Sequence, residues 1–145
     1  MKVLVVNGPN LARLDIRDSA IYGDFSYPQL VALITEAAQL QGMDVEIRQS
    51  DDEAQLIQWM HEAADKNLPV ILNPAAFTHY SVALRDSAEL LTAPLIEVHL
   101  SNPLAREEFR HTSLISGIAH GTISGFGPHS YVLALSAMKA LLSRG

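Results

Sequence analysis

Short apolar segments alternate with longer segments of helical periodicity along almost the whole chain, and this alternation restricts the possible folds more than any other feature. The apolar segments cover residues 2–7, 44–49, 69–73, 95–100 and 121–126. Apolar side chains recur at helical spacing after the first, second, third and fifth segments, and a short helix is expected within 102–116. Strands that alternate with helices predict a parallel sheet with right-handed crossovers and helices on both faces.

The second apolar segment differs from the others because one of its faces is polar. Val45 and Ile47 alternate there with Glu46 and Arg48, which is typical of a strand at the edge of a sheet. Five strands with the second at an edge fit the strand order 2-1-3-4-5. The sequence therefore predicts a flavodoxin-like three-layer sandwich, with residues 1–145 as a single domain. In the third helix, expected over 81–92, the candidates for burial are Val82, Leu84, Ala88 and Leu91.

The composition indicates a globular domain and excludes several classes of protein and site. Apolar residues make up 48% of the chain, and the formal net charge is −6, which argues against a general binder of nucleic acid or of anionic membranes. The sequence contains no cysteine, so disulfides, thiolate metal sites and cysteine nucleophiles are excluded. No segment approaches the roughly 20 apolar residues of a membrane-spanning helix. The N-terminal apolar run is too short for a signal peptide, so a cytoplasmic protein is expected.

The fourth apolar segment carries two ionisable side chains, Glu97 and His99. Because side chains alternate across a strand, both point to the same face. Ionisable groups are rarely buried without a partner, so the two are expected to interact. The pair has two interpretations: a histidine held in one tautomer for proton transfer, or an ion pair that only fixes packing.

Several polar side chains follow the predicted strands, at the sheet edge where ligands bind in folds of this type. They are Asn7, Asn10, Asn73, His99, Ser101 and Asn102. Amides, an imidazole and a hydroxyl suit a neutral, hydroxylated small molecule, although each asparagine alone is also typical of a turn. A phosphate ligand is less suited to the turn 7–10, because Pro9 removes a backbone donor.

The connection over 11–23 is polar and longer than an ordinary turn, as a lid over a site would be. It carries Arg17 and Tyr22. A tyrosine titrates at about pH 10 and is a poor base at neutrality, but a neighbouring guanidinium favours the phenolate by roughly 1–3 pKa units. The pair is therefore a candidate base with its activator, and the alternative is two ordinary surface residues.

The histidines do not have the spacing of a metal site. His79, His99, His111 and His120 include no tight pair such as i, i+4 on a helix. The segment with Glu97 and His99 supplies two possible ligands, and no third is evident. The sequence therefore favours a site without a metal ion.

Motifs along nearly the whole chain resemble those of the type II 3-dehydroquinate dehydratases. They are Asn7-Gly8-Pro9-Asn10-Leu11, Arg17 with Tyr22-Gly23, Gln49-Ser50, Asn73-Pro74, Thr78-His79, 81–86, 97–102 and 105–111. The resemblance implies a flavodoxin-like fold and a lyase that converts 3-dehydroquinate to 3-dehydroshikimate, in the shikimate or the quinate pathway. It also implies a homododecamer built as a tetramer of trimers, and chemistry without metal or cofactor.

The resemblance assigns a role to each of five catalytic residues. Tyr22 matches the base that removes a proton from C2 of the substrate ring, and Arg17 matches its activator. Asn10 matches the asparagine that holds a water against the enolate oxygen. His99 matches the general acid that protonates the departing C1 hydroxyl, and Glu97 orients it.

Substrate binding is implied at six further positions. Asn73, His79 and Arg110 match residues that hold the ring hydroxyls. The backbone amides of Leu100 and Ser101, with the Ser101 hydroxyl, match the site of the substrate carboxylate. Asp86 matches an acidic residue that reaches the site of a neighbouring subunit.

The chain departs from the usual family pattern outside this catalytic set. The positions are Ala12, Asp15, Asp51-Asp52, Ala54, Ala75, Phe77 and Thr112. Asp15 lies two residues from Arg17, which leaves two interpretations: it pairs with Arg17 and draws that charge away from Tyr22, or it faces solvent and has little effect. A binding or regulatory module with an altered lid is one alternative function, and a binder of nucleotide phosphates at the first turn is another.

Overall fold

Five parallel strands form one sheet in the order β2-β1-β3-β4-β5 in the computed structural model, which describes residues 2–144. The strands are β1 Lys2–Asn7, β2 Asp44–Gln49, β3 Val70–Asn73, β4 Leu95–His99 and β5 Gly121–Ser124. This is the flavodoxin-like order, so the predicted topology and the edge position of the second strand are confirmed. Residues 1 and 145 of the expected domain lie outside the described range.

Five helices accompany the strands within the described range. They are α1 Ser19–Tyr22, α2 Tyr27–Leu40, α3 Glu53–Lys66, α4 Val82–Ala88 and α5 His129–Ser143. The α2 helix begins as the sequence predicts, because the Ser26 side chain accepts from the Gln29 amide while the Gln29 side chain accepts from the Ser26 amide. This reciprocal capping satisfies two donors that have no partner inside the helix.

Two apolar cores, one on each face of the sheet, give the molecule its three layers. Alternate residues of β1 divide between them: Val3 and Val5 pack with α2 and α5, whereas Leu4 and Val6 pack with α3 and α4. All four of these side chains are fully buried. A strand covered on both faces reads as a continuous apolar run, which is why β1 shows no alternation in the sequence.

Three predictions about local structure were wrong. The third helix ends at Ala88, and its Val82 is 58% exposed, because Val82 is offset by roughly 200° around the helix from the buried Leu84. The segment 102–116 forms two separate 3₁₀ turns, Pro103–Ala105 and Glu108–Arg110, instead of one short helix.

The long polar connection after β1 is more ordered than its sequence suggests. It contains 3₁₀ turns over Leu11–Ile16 and the short helix α1. Leu11 and Leu14 are buried and belong to the core beneath α2. The connection is therefore anchored to the domain at its start, while its second half, with Tyr22 partly exposed, borders the carboxyl edge of the sheet.

Candidate active site

A cavity of about 110 Å³ opens at the carboxyl ends of β1, β3 and β4. All of the predicted site residues except Glu97 and Asp86 line it: Asn10, Arg17, Tyr22, Asn73, His79, His99, Leu100, Ser101 and Arg110. The connection after β1 supplies the first three of these residues. The others come from the ends of β3 and β4 and from the turns after them. The fold thus brings together side chains from four parts of the chain.

His99 and Glu97 form a close pair at the end of β4. The His99 Nε2 lies 2.6 Å from the Glu97 Oε2. Glu97 is 1% exposed and lies behind His99, whereas His99 also lines the cavity. Because a carboxylate only accepts hydrogen bonds, Nε2 carries the proton in this contact and the imidazole is held in one orientation.

Three hydroxyl groups complete the surroundings of the Glu97 carboxylate. Thr78 Oγ1 donates to Oε2 at 2.6 Å, Ser113 Oγ lies 3.0 Å from both oxygens, and Ser116 Oγ donates to Oε1. Burial raises the pKa of Glu97, but the hydrogen bonds from His99, Ser116 and Thr78 lower it more, so the net pKa lies below its ordinary value. The buried carboxyl is therefore ionised near neutral pH.

Tyr22 lies between two arginines. The guanidinium carbon of Arg17 is 3.6 Å from the centroid of the Tyr22 ring, so it covers the ring face. Arg106 approaches from the segment after β4, and its Nη2 donates to the Tyr22 hydroxyl at 2.7 Å. The phenolic oxygen thus has a direct cationic partner at the wall of the cavity.

The cavity is strongly cationic although the whole chain is acidic. Arg17, Arg106 and Arg110 line it, and no carboxylate does so among residues 2–144. Burial lowers the pKa of Arg17, and the charges of Arg106 and Arg110 add to this effect against the opposing influence of Tyr22. Charges of one sign in a concave, low-dielectric site attract ligands of the opposite sign, so the cavity suits an anion.

Asn73 is held from below by a buried tyrosine. Its Nδ2 donates to the Tyr131 hydroxyl at 2.8 Å, and that hydroxyl donates to Asn7 Oδ1 at 2.6 Å. Burial raises the pKa of Tyr131, so the hydroxyl stays neutral and can serve both neighbours. This chain of bonds joins the ends of β1 and β3 to α5 and fixes the amide at the cavity floor.

The turn after β1 needs a glycine at one position. A Cβ on Gly8 would lie 2.8 Å from the carbonyl oxygen of Pro74, which no substituted residue could accommodate without a backbone shift. Two residues later, Asn10 takes a left-handed conformation (φ 69°), and its amide donates to Asp51 Oδ1 at 2.8 Å. Asp51, one of the departures noted in the sequence, therefore holds the Asn10 backbone in place.

His79 and Arg110 are each held by a partner in the segment after β4. The Thr112 carbonyl accepts from His79 Nδ1 at 2.8 Å, so the bond uses the backbone and is indifferent to the side chain at that position. Arg110 Nε lies 3.3 Å from the Glu107 carboxylate. Both side chains line the cavity.

Asp15 pairs with Arg13 and not with Arg17, which agrees with the second of the two interpretations of this position. Its Oδ1 lies 3.2 Å from Arg13 Nε, and both side chains are more than half exposed. The side chain of Arg17 instead covers Tyr22. The departure at Asp15 therefore forms a separate surface pair on the lid.

A family model described as Dehydroquinase class II matches residues 1–139 of the chain. The chain belongs to this family. A 3-dehydroquinate dehydratase of Mycobacteroides abscessus is 56% identical over 135 residues, which cover 93% of this chain and 94% of the relative. One of Salinispora tropica is 52% identical over 140 residues, with 97% and 98% covered.

Solved structures of the class II dehydroquinase family agree with the fold. A type II dehydroquinase of Propionibacterium acnes matches with a TM-score of 0.93 at 48% identity, over 96% of each chain. A 3-dehydroquinate dehydratase-like protein of Bifidobacterium longum matches with a TM-score of 0.75 at 45% identity, over 99% of this chain and 98% of the other. The resemblance inferred from the sequence motifs is thereby confirmed.

Sequence reasoning missed the contacts of four residues in this dehydroquinase site. Arg106 lies in a motif that carries the resemblance, but nothing in the sequence indicates that it reaches Tyr22. Tyr131 reads as one more apolar position of α5, and its hydroxyl gives no periodic signal. Ser113 and Ser116 lie in a loop, where serines are common for reasons of turn chemistry.

Asp86 lies apart from the cavity in this class II dehydroquinase chain. It is exposed on α4 and does not line the cavity. The described residues contain no group of three histidine or carboxylate side chains that could hold a metal ion. In the same range, 2–144, every helix is too short or too polar to cross a membrane.

Proposed function

We propose that this chain dehydrates 3-dehydroquinate to 3-dehydroshikimate. The observation that carries the proposal is one cationic cavity that is lined both by a tyrosine flanked by two arginines and by a histidine held by a buried carboxylate. The substrate is a hydroxylated ketone with a carboxylate, and the cavity combines positive charge with amide and hydroxyl groups. Membership of the class II dehydroquinase family supports the same reaction.

The first step removes a proton next to the ketone. Tyr22 as phenolate takes the C2 proton, and the electrons of the C2–H bond move into the carbonyl to give an enolate. The positive charges of Arg17 and Arg106 lie at Tyr22, where they pair with the phenolate before the step and with the enolate as charge moves toward it. Asn10, which lines the cavity, holds a water against the enolate oxygen.

The second step expels the C1 hydroxyl. The enolate electrons form the C1–C2 double bond as the C1–O bond breaks, and His99 gives a proton to the departing oxygen, so water leaves. Glu97 holds the imidazole in position and compensates the charge that His99 carries as an acid. The product is a ketone conjugated with the new double bond. An anti elimination requires the base and the acid to act on opposite faces of the substrate ring.

Substrate orientation uses the remaining cavity residues. Asn73, His79 and Arg110 hold the ring hydroxyls, and the amides of Leu100 and Ser101 bind the carboxylate beside Arg106. Arg106 Nη1 lies 3.2 Å from Ser101 Oγ, which supports an anionic group at this point. Asp86 acts in a neighbouring subunit of a homododecamer built as a tetramer of trimers. No cofactor takes part, and the expected location is the cytoplasm.

The decisive experiment follows the enone absorbance of 3-dehydroshikimate after purified protein is mixed with 3-dehydroquinate. We expect turnover that survives chelating agents. Tyr22→Phe and His99→Ala should each lower kcat by about 10²–10⁴-fold with much smaller changes in KM. Tyr80→Phe and His61→Ala, which change exposed residues outside the cavity, are the matched controls. Substrate binding without turnover would instead support a binding module.

A borohydride test separates this mechanism from one through a Schiff base. None of the lysines Lys2, Lys66 and Lys139 lines the cavity, so treatment with borohydride in the presence of substrate should leave activity intact. Inactivation that depends on substrate would show a covalent imine and contradict the proposed elimination through a free enolate.

A further inference from the structure

The Glu97 carboxylate is the acceptor in its side-chain hydrogen bonds among the described residues. A carboxylate that only held His99 would not need the additional hydroxyl donors. Thr78, Ser113 and Ser116, here called the hydroxyl cage, all place a hydroxyl on the carboxylate. The His99 N–H adds a fourth donor. An ionised carboxylate offers about four lone-pair positions. Thr78, Ser116 and His99 fill three of them, and Ser113 lies within reach of the fourth.

The hydrogen positions within the cage favour the ionised carboxyl. Ser113 Oγ accepts from the backbone amides of Ile115 at 3.1 Å and Ser116 at 3.0 Å. Its two lone pairs are therefore used, and its own hydrogen points toward Glu97 or toward Thr78 Oγ1, which lies 2.6 Å away. A protonated Glu97 would itself have to donate a hydrogen bond, but its neighbours are donors. At least one hydroxyl hydrogen would have to rotate away so that its oxygen could accept that bond.

Other charged groups near Glu97 are held by other partners. His79, Arg110 and His111 line a second cavity of about 250 Å³ that Glu97, His99 and the cage also border. His79 binds the Thr112 carbonyl, Arg110 binds Glu107, and His111 Nε2 binds the Arg106 carbonyl. His99 is thus the ionisable group that hydrogen-bonds to Glu97 among the described residues, and the other donors are neutral.

We propose that Thr78, Ser113 and Ser116 are positioning residues: they hold the Glu97 carboxylate ionised and fixed in orientation, and through it they hold His99 for proton donation. This inference rests on the proposed function only where it names His99 as the acid. Apolar residues in place of the cage would leave a buried charge with unfilled acceptor positions. Burial and hydrogen bonds act in opposite directions on the Glu97 pKa, and the bonds prevail.

The test compares variants of the cage in the full-length protein. Thr78→Val removes one hydroxyl at nearly constant volume, whereas Thr78→Ser keeps the hydroxyl. Ser116→Ala removes a hydroxyl at an exposed residue, where folding is little affected. Ser87→Ala is the control, because Ser87 is a buried serine whose hydroxyl binds the Leu84 carbonyl instead.

Two readouts are used. The pH profile of kcat should have its acidic limb displaced toward higher pH in Thr78→Val and in Ser116→Ala, and kcat below neutrality should fall by roughly tenfold with little change in KM. Carbon-13 NMR of the Glu97 carboxyl in substrate-free protein should show protonation at a higher pH in both variants. Thr78→Ser and Ser87→Ala should follow the wild type in both measurements.

The NMR measurement makes the outcome independent of the dehydratase activity. If Glu97 titrates identically in wild type, Thr78→Val and Ser116→Ala, the inference is overturned even when the enzyme is active. If the protein proves inactive but Glu97 titrates at higher pH in the variants, the cage holds and the proposed function fails. Should Thr78→Val not fold, Ser116→Ala alone decides between these results.

Discussion

Arg106 Nη2 donates a 2.7 Å hydrogen bond to the Tyr22 hydroxyl, although 84 positions separate the two residues in the sequence. The same guanidinium donates to Ser101 Oγ from its Nη1. One side chain therefore connects the proposed base with the proposed carboxylate site. A planar guanidinium can hold two partners in fixed directions at once, so Arg106 orders both parts of the cavity.

Replacement of Arg106 by glutamine should reduce turnover more than substrate binding. We expect kcat to fall by roughly 10²–10³-fold, because a preorganised charge is lost where negative charge develops, and KM to rise by a smaller factor. Steady-state kinetics with 3-dehydroquinate give both values. Arg144→Gln removes an arginine from the exposed end of α5 as the control. Near-normal kcat in Arg106→Gln would exclude this arginine from the chemistry.

The Asp15→Gly variant should have a pH–rate profile that superimposes on that of the wild type. Asp15 pairs with Arg13 at the surface of the lid, and exposed pairs have little effect on neighbouring chemistry because solvent screens them. Arg17→Gln serves as the positive control, since Arg17 covers Tyr22, and it should lower kcat. A displaced basic limb in Asp15→Gly would show that the carboxylate does reach Arg17 in solution.

The sheet topology could be predicted from the sequence because its separate local signals all indicated the same strand order. The polar face of β2 marked an edge, and the continuous apolar run of β1 marked a strand covered on both faces. Agreement between periodicity, turn residues and alternation leaves few topologies. The third helix was predicted too long because Leu91 continues its apolar pattern. The helix ends at Ala88, and the amides of Leu90 and Leu91 bond to carbonyls three residues back, as in tighter turns.

The candidate site could be predicted only in part, for reasons that differ between residues. Glu97 and His99 lie two positions apart on one strand, so their contact follows from local geometry. Arg106 and Tyr22 meet through the tertiary fold, and no local rule brings them together. Asp15 shows that spacing alone does not decide a contact: it lies two residues from Arg17, yet the kinked 3₁₀ turn directs it to Arg13.

Tyr131→Phe should weaken both the fold and substrate binding. The Tyr131 hydroxyl is fully buried and bonds Asn7 and Asn73, so its removal leaves buried amide groups unsatisfied. We expect a loss of about 1–3 kcal/mol in the free energy of unfolding, and a rise in KM because Asn73 loses its support. Denaturant titration and steady-state kinetics measure the two effects. Tyr80→Phe at the surface is the control, and equal stability of the two variants would contradict the prediction.

Ala75→Gly should stabilise the protein. Ala75 has a positive φ of 52°, a conformation that costs a residue with a Cβ roughly 1–2 kcal/mol. Glycine removes this strain but adds freedom to the unfolded chain, so we expect a net gain of about 0.5–1 kcal/mol in the free energy of unfolding. Ala76→Gly, one residue further in the same 3₁₀ turn, relieves no such strain and should destabilise. Equal effects of the two substitutions would show that the backbone at Ala75 carries no strain.

Glu97→Gln should destabilise the protein in a way that depends on pH. The folded-state pKa of Glu97 lies below its ordinary value of 4.5, so the ionised carboxyl contributes stability above that value and loses it as the pH falls through the folded-state pKa. The variant lacks this contribution at every pH. We therefore expect it to be less stable than wild type by about 2 kcal/mol at pH 7, with the difference shrinking below about pH 4.5.

Urea titrations at fixed protein concentration between pH 7 and pH 3 measure this difference, since assembly would otherwise change the apparent stability. Glu89→Gln is the control: Glu89 forms an exposed pair with Arg85 one helical turn away, and such pairs contribute little at any pH. If the difference in the free energy of unfolding between wild type and Glu97→Gln stays constant from pH 7 to pH 3, the prediction is contradicted. The charge of Glu97 would then contribute nothing to stability through the hydroxyl cage and His99.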